Sequence, residues 1–256
     1  MAEDTAGFDG TTALVTGGGS GIGRAAAQRL AARGTAVTVA DINGAAADET
    51  VRLISAAGGV ASSAQCDIAD EAAVRAAVAA SSASGRLDYA VNCAGLRGPG
   101  MPVPLAEYDT DLFDRLVAVN LRGTFLCLKY EISAMLPAGT GSVVNISSAA
   151  GVQGVPGTAG YTGSKHGIIG ITKTAALDYG PAGIRVNAIC PGLIDTPMNQ
   201  SGRTPEHMAA MISSIPLKRK GAPAEIADAI AWLCSPQSSF VSGAVLGVDG
   251  GRSAQR

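Results

Sequence analysis

Short runs of β-branched and apolar residues alternate along the chain with longer, alanine-rich helical stretches. The first run, residues 11–16, ends in a cluster of glycines; residues 22–33 then carry helix formers, and Gly34 is placed to end them. Further strands are predicted at 35–40, 60–65, 87–92, 142–146, 184–189 and 244–248. Helices are predicted at 45–57, 71–81, 109–136, 161–179 and 223–234. Pro137 stops the longest of them, and Pro223 suits the first position of the last. Strand, helix, strand with short links implies an α/β fold, a parallel sheet covered on both faces.

Residues 195–221 interrupt this rhythm with Pro, Met, Ser and the basic run Lys218-Arg219-Lys220. The segment is too long for an ordinary connection and is expected to be a substrate-binding lid. No internal repeat or interdomain linker divides the chain, so residues 1–256 are expected to form one domain, with 1–9 as a flexible tail.

Composition narrows the class. A chain of 256 residues fills one α/β domain, and 47% apolar against 16% charged residues excludes a disordered polypeptide. A net charge of -2 offers no basic field for nucleic acid or an anionic membrane surface. The five cysteines are scattered without a C-x-x-C pair, which reads as reduced thiols. His166 and His207 have no Cys or carboxylate cluster at ligand spacing, so no metal site is expected. The start is acidic where a signal peptide is basic, and no run approaches the roughly 20 apolar residues of a membrane helix. A cytoplasmic protein is the expectation.

Between the first strand and first helix stands Thr16-Gly17-Gly18-Gly19-Ser20-Gly21-Ile22-Gly23. A glycine-rich turn there lets a pyrophosphate approach backbone N–H groups at a helix N-terminus, where the dipole favours negative charge. The common G-x-G-x-x-G spacing fits in no register. What fits is T-G-x-x-x-G-x-G, through Gly17, Gly21 and Gly23, and this pattern resembles the short-chain dehydrogenase/reductase family. The second strand ends at Asp41, whose carboxylate can accept hydrogen bonds from ribose hydroxyls and would repel the 2′-phosphate of NADP. Capping of the next helix is the competing role for it. Ser20 stands where NADP-using relatives often carry a basic residue, so NAD is the expected cofactor.

Of five tyrosines only Tyr161 has a lysine four residues on, Lys165, one helical turn away. An unperturbed phenol titrates near about 10, and an adjacent positive charge favours its ionised form. Exposed helix faces also produce such pairs. Ser148 precedes Tyr161 by 13 positions (161 − 148), the spacing of the family's serine and tyrosine; Ser147 is the competing candidate. Asn120 falls inside the long predicted helix, either as a satisfied core residue or as the asparagine with which the family holds a water.

The resemblance runs from about Gly10 to Gly251 and implies more. Asp67 would meet the adenine amino group with Ile68 packed on the ring. Asn92-Cys93-Ala94-Gly95 is similar to the family's N-N-A-G segment, with Cys93 as a departure that removes a side-chain hydrogen bond bracing the sheet. Pro191, Gly192, Ile194 and Thr196 form a turn where Thr196 would meet the carboxamide, and Ile22, Ile42 and Met198 complete the implied nucleotide contacts. Tyr161 would transfer the proton, Ser148 bind the substrate oxygen, Lys165 assist Tyr161 and hold the ribose, and Asn120 relay protons through water. The implied fold is a Rossmann-type, doubly wound seven-stranded sheet in the order 3-2-1-4-5-6-7, with a homotetramer the commonest assembly and a dimer next.

The activity expected is NAD(H)-dependent interconversion of a secondary alcohol and a ketone. An NADPH-dependent ketoreductase of acyl thioesters, or a non-catalytic dinucleotide-binding regulator, are the alternatives. The substrate pocket should draw on Leu96, Met101, Val103, Val152, Val155, Met198 and Met211, which suit an apolar or cyclic small molecule. Arg97 is the one charge among them, set to orient a carboxylate or to face water.

Overall fold

The structure, a computed structural model, describes residues 7–98, 102–200 and 204–255. Seven strands form one parallel sheet in the order β3-β2-β1-β4-β5-β6-β7. In chain order the elements are β1 (Thr12–Thr16), α1 (Gly21–Ala32), β2 (Ala36–Asp41), α2 (Gly44–Ala56), β3 (Ala61–Gln65), α3 (Glu71–Ser81) and β4 (Tyr89–Asn92). After them come α4 (Thr110–Leu116), a π-helical stretch (Val117–Gly123), α5 (Thr124–Met135), β5 (Gly141–Ile146), α6 (Ala159–Tyr179) and β6 (Ile184–Pro191). Two short helices, α7 (Pro197–Gln200) and α8 (Pro205–Ser213), precede α9 (Pro223–Cys234) and β7 (Val245–Val248).

Alternation along each strand divides the core. On β1, Ala13 and Val15 pack with α1, α2 and α9, whereas Leu14 points to the opposite face, with α3 and α5. Local chemistry starts the helices where the sequence suggests. Asn43, Asp70 and Asp109 accept backbone N–H bonds at the starts of α2, α3 and α4. Glu225 takes the Ala222 N–H at 2.7 Å behind Pro223 at the start of α9.

Two expectations change. The helix predicted over 109–136 is not uniform: Val117–Gly123 widens to π geometry between two α segments. The stretch 1–9, predicted as a flexible tail, is anchored at Phe8. Phe8 is 1% exposed, packs against Tyr89 at 5.5 Å between ring centroids and lies under the Arg33 guanidinium; the Tyr89 hydroxyl donates to the Gly7 carbonyl. Among the described residues, no helix is long and apolar enough to cross a membrane.

Candidate active site

The carboxyl ends of the strands open into one cleft of about 520 Å³, at the point where the chain switches direction between β1 and β4. Its floor begins with the glycine loop. Gly17 has φ +65°, and a Cβ there would stand 2.7 Å from the Ala94 backbone. A Cβ on Gly23 would lie 2.1 Å from the Gly17 carbonyl oxygen. The loop is therefore closed to side chains and presents bare backbone at the N-terminus of α1, a surface that fits a pyrophosphate.

Asp41 holds the far side of that loop. Its Oδ2 accepts the Gly19 N–H and its Oδ1 the Asn43 N–H, both at 2.9 Å. The capping of α2 falls instead to the Asn43 side chain. Asp41 is thus fixed in orientation at the cleft wall, with lone pairs left for hydroxyl donors. Asp67 and Ile68 line the same end, and Thr196 packs its methyl 3.2 Å from the position of a Gly21 Cβ, closing the cleft from β6.

The other end of the cleft carries the chemistry-bearing side chains. Tyr161, on the first turn of α6, and Ser148, just beyond β5, line it together. Lys165 is buried, its Nζ 5.7 Å from the Tyr161 ring centroid and 2.9 Å from the Ile146 carbonyl that accepts its proton. The two serines differ sharply. Ser147 is buried and its hydroxyl donates to the Lys165 carbonyl at 2.8 Å. Ser148 Oγ accepts the Ala150 N–H at 3.1 Å, leaving its own proton free for an acceptor in the cleft.

Asn120 does not line the cleft. It is fully buried, in the π-helical stretch, and grips the main chain of Leu96 from both sides: Oδ1 accepts the Leu96 N–H at 2.7 Å while Nδ2 donates to its carbonyl at 2.8 Å. Nδ2 also reaches Ser164 Oγ at 3.1 Å. The wide turn, frequent at functional sites, aims this side chain at the segment after β4.

Asn92, expected against the nucleotide, lies beneath the wall rather than in it. Its Nδ2 donates to Glu131 on α5 at 2.9 Å and to Asn145 on β5 at 3.0 Å. Asn145 in turn donates to Thr172 on α6 at 2.9 Å. Glu131 is fully buried, and burial pushes its carboxyl up to about 8. This polar chain joins four elements under the cleft, and no local pattern marked it in the sequence. Cys93 lines the cleft, with burial pushing its thiol up to about 12. Its N–H donates to Thr16 Oγ1 at 3.2 Å, so the main chain supplies a β1–β4 brace at this position.

Of the expected substrate-pocket residues, Leu96, Val155, Met198 and Met211 line the cleft. Val103 belongs to a shallow neighbouring depression, Val152 is exposed and lines neither, and Met101 lies outside the described residues. Arg97 lines the cleft, half-buried. Arg115, Gln153 and Arg252, which no local motif marks, also stand in the wall.

A family model described as "Enoyl-(Acyl carrier protein) reductase" matches residues 17–253. The chain belongs to the short-chain dehydrogenase/reductase family. Among relatives in this family, the 2,5-dichloro-2,5-cyclohexadiene-1,4-diol dehydrogenase of Sphingobium indicum strain UT26 is 48% identical over 253 residues, 96% of this chain and 98% of that protein. The crystal structure of levodione reductase superposes with a TM-score of 0.94 at 37% identity, covering 97% of this chain and all of that one. That of NAD+-bound xylitol dehydrogenase gives 0.90 at 36% identity, with 95% and 99% covered. The protein is thus an oxidoreductase of the short-chain dehydrogenase/reductase type, with a cleft that fits a nicotinamide dinucleotide.

Proposed function

We propose that the protein is an NAD(H)-dependent dehydrogenase/reductase that interconverts a cyclic secondary alcohol and its ketone, with Tyr161 as the proton-transferring residue. The observation that carries the reading is the meeting, in one cleft, of a phenol flanked by a lysine and a serine hydroxyl with a spare donor. Tyr161 stands beside the Lys165 ammonium, and Ser148 keeps its hydroxyl proton unspent.

The bound dinucleotide supplies the hydride acceptor or donor, and the chain's own groups handle everything else. Asp41 holds the adenosine ribose hydroxyls, with Asp67 and Ile68 at the adenine. Gly17, Ser20, Gly21, Ile22 and Gly23 present backbone to the pyrophosphate; Ile42, Ala94, Gly95, Pro191, Gly192, Ile194, Thr196 and Met198 complete the binding surface. Ser148 donates to the substrate oxygen and stabilises charge gathering there. Tyr161 Oη accepts the hydroxyl proton in oxidation and returns it in reduction. The buried Lys165 ammonium stabilises the phenolate that results and binds the nicotinamide ribose. Asn120 fixes Leu96, and through it the cleft wall beside the reacting centre.

NAD is favoured over NADP by charge. A 2′-phosphate would stand against the Asp41 carboxylate, and neither Ser20 nor Ile42 offers a compensating cation. Cyclic substrates suit the apolar lining of Leu96, Val155, Met198 and Met211, and both a cyclic diol dehydrogenase and levodione reductase are among the similar proteins. Residues 195–221 act as the lid over this end. Its two ends are tied by the Ile194–Gly221 bridge and by a 2.7 Å ion pair between Lys220 and Asp195.

The test is absorbance at the nicotinamide band with cyclic secondary alcohols and ketones, run with NAD(H) and NADP(H) in parallel. NAD reduction by a cyclic alcohol is expected. A strong preference for NADP would refute the role of Asp41, and turnover of open-chain acyl thioesters alone would refute the substrate class.

A further inference from the structure

The cleft is electrically divided. Its two acidic side chains, Asp41 and Asp67, stand at the adenosine end. Its arginines, Arg97, Arg115 and Arg252, face no carboxylate: among the described residues none of the three forms an ion pair or side-chain hydrogen bond. Arg115 is exposed; of the two half-buried arginines, Arg97 is the one that stands next to a clamped main chain. It directly follows Leu96, the residue clamped by Asn120, so its backbone is anchored while its head is half-buried beside Tyr161. Burial disfavours its charged form, and the Tyr161 phenol is the one ionisable group that offsets this. A guanidinium partly withdrawn from water without an anionic partner is disfavoured, and a planar anion that takes both arms of the fork offsets this.

We propose that Arg97 is a specificity-determining residue that binds a carboxylate on the substrate, so that the preferred substrates are cyclic hydroxy acids and the matching keto acids. The inference rests on the reading of the cleft as the seat of cyclic-alcohol oxidoreduction. Tyr161 and Ser148 take the reacting oxygen at one point of the ring, and Arg97 takes the carboxylate at another. Met198, Met211 and Val155 cover the apolar body between them. Two fixed points on a ring define which face is presented for hydride transfer, which an apolar pocket alone does poorly.

Binding and turnover test the two readings separately. Cyclohexanecarboxylate, which has no hydroxyl to react, is titrated calorimetrically into the protein saturated with NADH, with cyclohexanecarboxamide as the neutral comparison. The acid is expected to bind at least tenfold more tightly than the amide. Arg97→Gln should abolish that difference without changing NADH affinity, and Arg97→Lys should restore part of it. Equal binding of acid and amide by the unmodified protein overturns the proposal. So does a parallel loss of NADH affinity in Arg97→Gln, which would assign the arginine to the nucleotide. In turnover, a hydroxycyclohexanecarboxylate is expected to exceed cyclohexanol in kcat/KM by about 100-fold, an advantage lost in Arg97→Gln. Oxidation of cyclohexanol with no gain from the carboxylate removes the anion site and leaves the dehydrogenase reading intact. Arg97-dependent binding without oxidation of either alcohol does the reverse.

Discussion

Ser147 and Ser148 are chemically identical neighbours with opposite hydrogen-bond roles. Both line the cleft, but Ser147 spends its proton on the Lys165 carbonyl, whereas Ser148 receives an N–H and keeps its own proton. Spacing to Tyr161 favours Ser148 in the sequence, but only the direction of these bonds separates the two by a physical criterion. Ser148→Ala is therefore expected to lower kcat by about 100-fold or more with NADH binding kept, as loss of an oxyanion donor does elsewhere. Ser147→Ala should keep most of kcat and lose stability, because it leaves the Lys165 carbonyl without this donor. Steady-state kinetics beside a urea titration read both. A larger loss of kcat in Ser147→Ala than in Ser148→Ala would reverse the assignment. Tyr161 and Lys165 were legible because helix geometry alone brings positions four apart together. Asn92 was not: its motif placed it near the nucleotide, whereas its contacts with Glu131 and Asn145 depend on three strands and helices meeting.

Between elements, the polar chain from Glu131 through Asn92 and Asn145 to Thr172 fastens α5, β4, β5 and α6 to one another directly under the cleft. Glu131 Oε1 and Asn92 Oδ1 are buried without partners, so a charge on Glu131 is poorly supported. Burial raises its carboxyl from 4.5 to about 8. The folded state thus holds a proton that the unfolded chain releases, and the stability this represents is present below about pH 4.5 and lost as pH rises through about 8. The loss is on the order of a few kcal/mol. Glu131→Gln, neutral at every pH, is expected to flatten the profile: urea midpoints should match the parent near pH 5 and exceed it near pH 9. Parallel profiles for the two proteins would contradict this. Most element positions were readable, since strand alternation and the caps at Asn43, Asp70 and Asp109 are local signals. The widening at Val117–Gly123 was hidden, because the residues there suit an α-helix equally well, and what holds the wide turn open is the distant main chain of Leu96.

For the molecule as a whole, β7 closes the sheet order at one edge, and the chain leading to it carries the exposed Trp232 on α9 and the fully exposed Phe240. Phe113 on α4, Phe125 on α5 and Leu177 on α6 are also exposed. Large exposed apolar side chains on several helices suit self-association, and we propose the homotetramer that the family resemblance implies. Light scattering should give the mass of four chains, and Trp232→Glu with Phe240→Glu should reduce it to two. A single-chain mass for the unmodified protein would exclude the assembly. The fold class was legible throughout the chain, while the burial of Phe8 was not, since its partners Tyr89 and Arg33 come from elsewhere in the sequence. The wide turn also bears on how this protein can fail. A π turn is an α-helix with one residue to spare. Loss of a single codon between Val117 and Gly123 would let the helix relax to regular geometry, with α4 and α5 still seated in the core. Asn120 would swing away from Leu96, and the wall beside the reacting centre would lose its clamp. At this place in the gene a deletion spares the architecture and silences the chemistry, so an inert nucleotide-binding descendant lies one small lesion away.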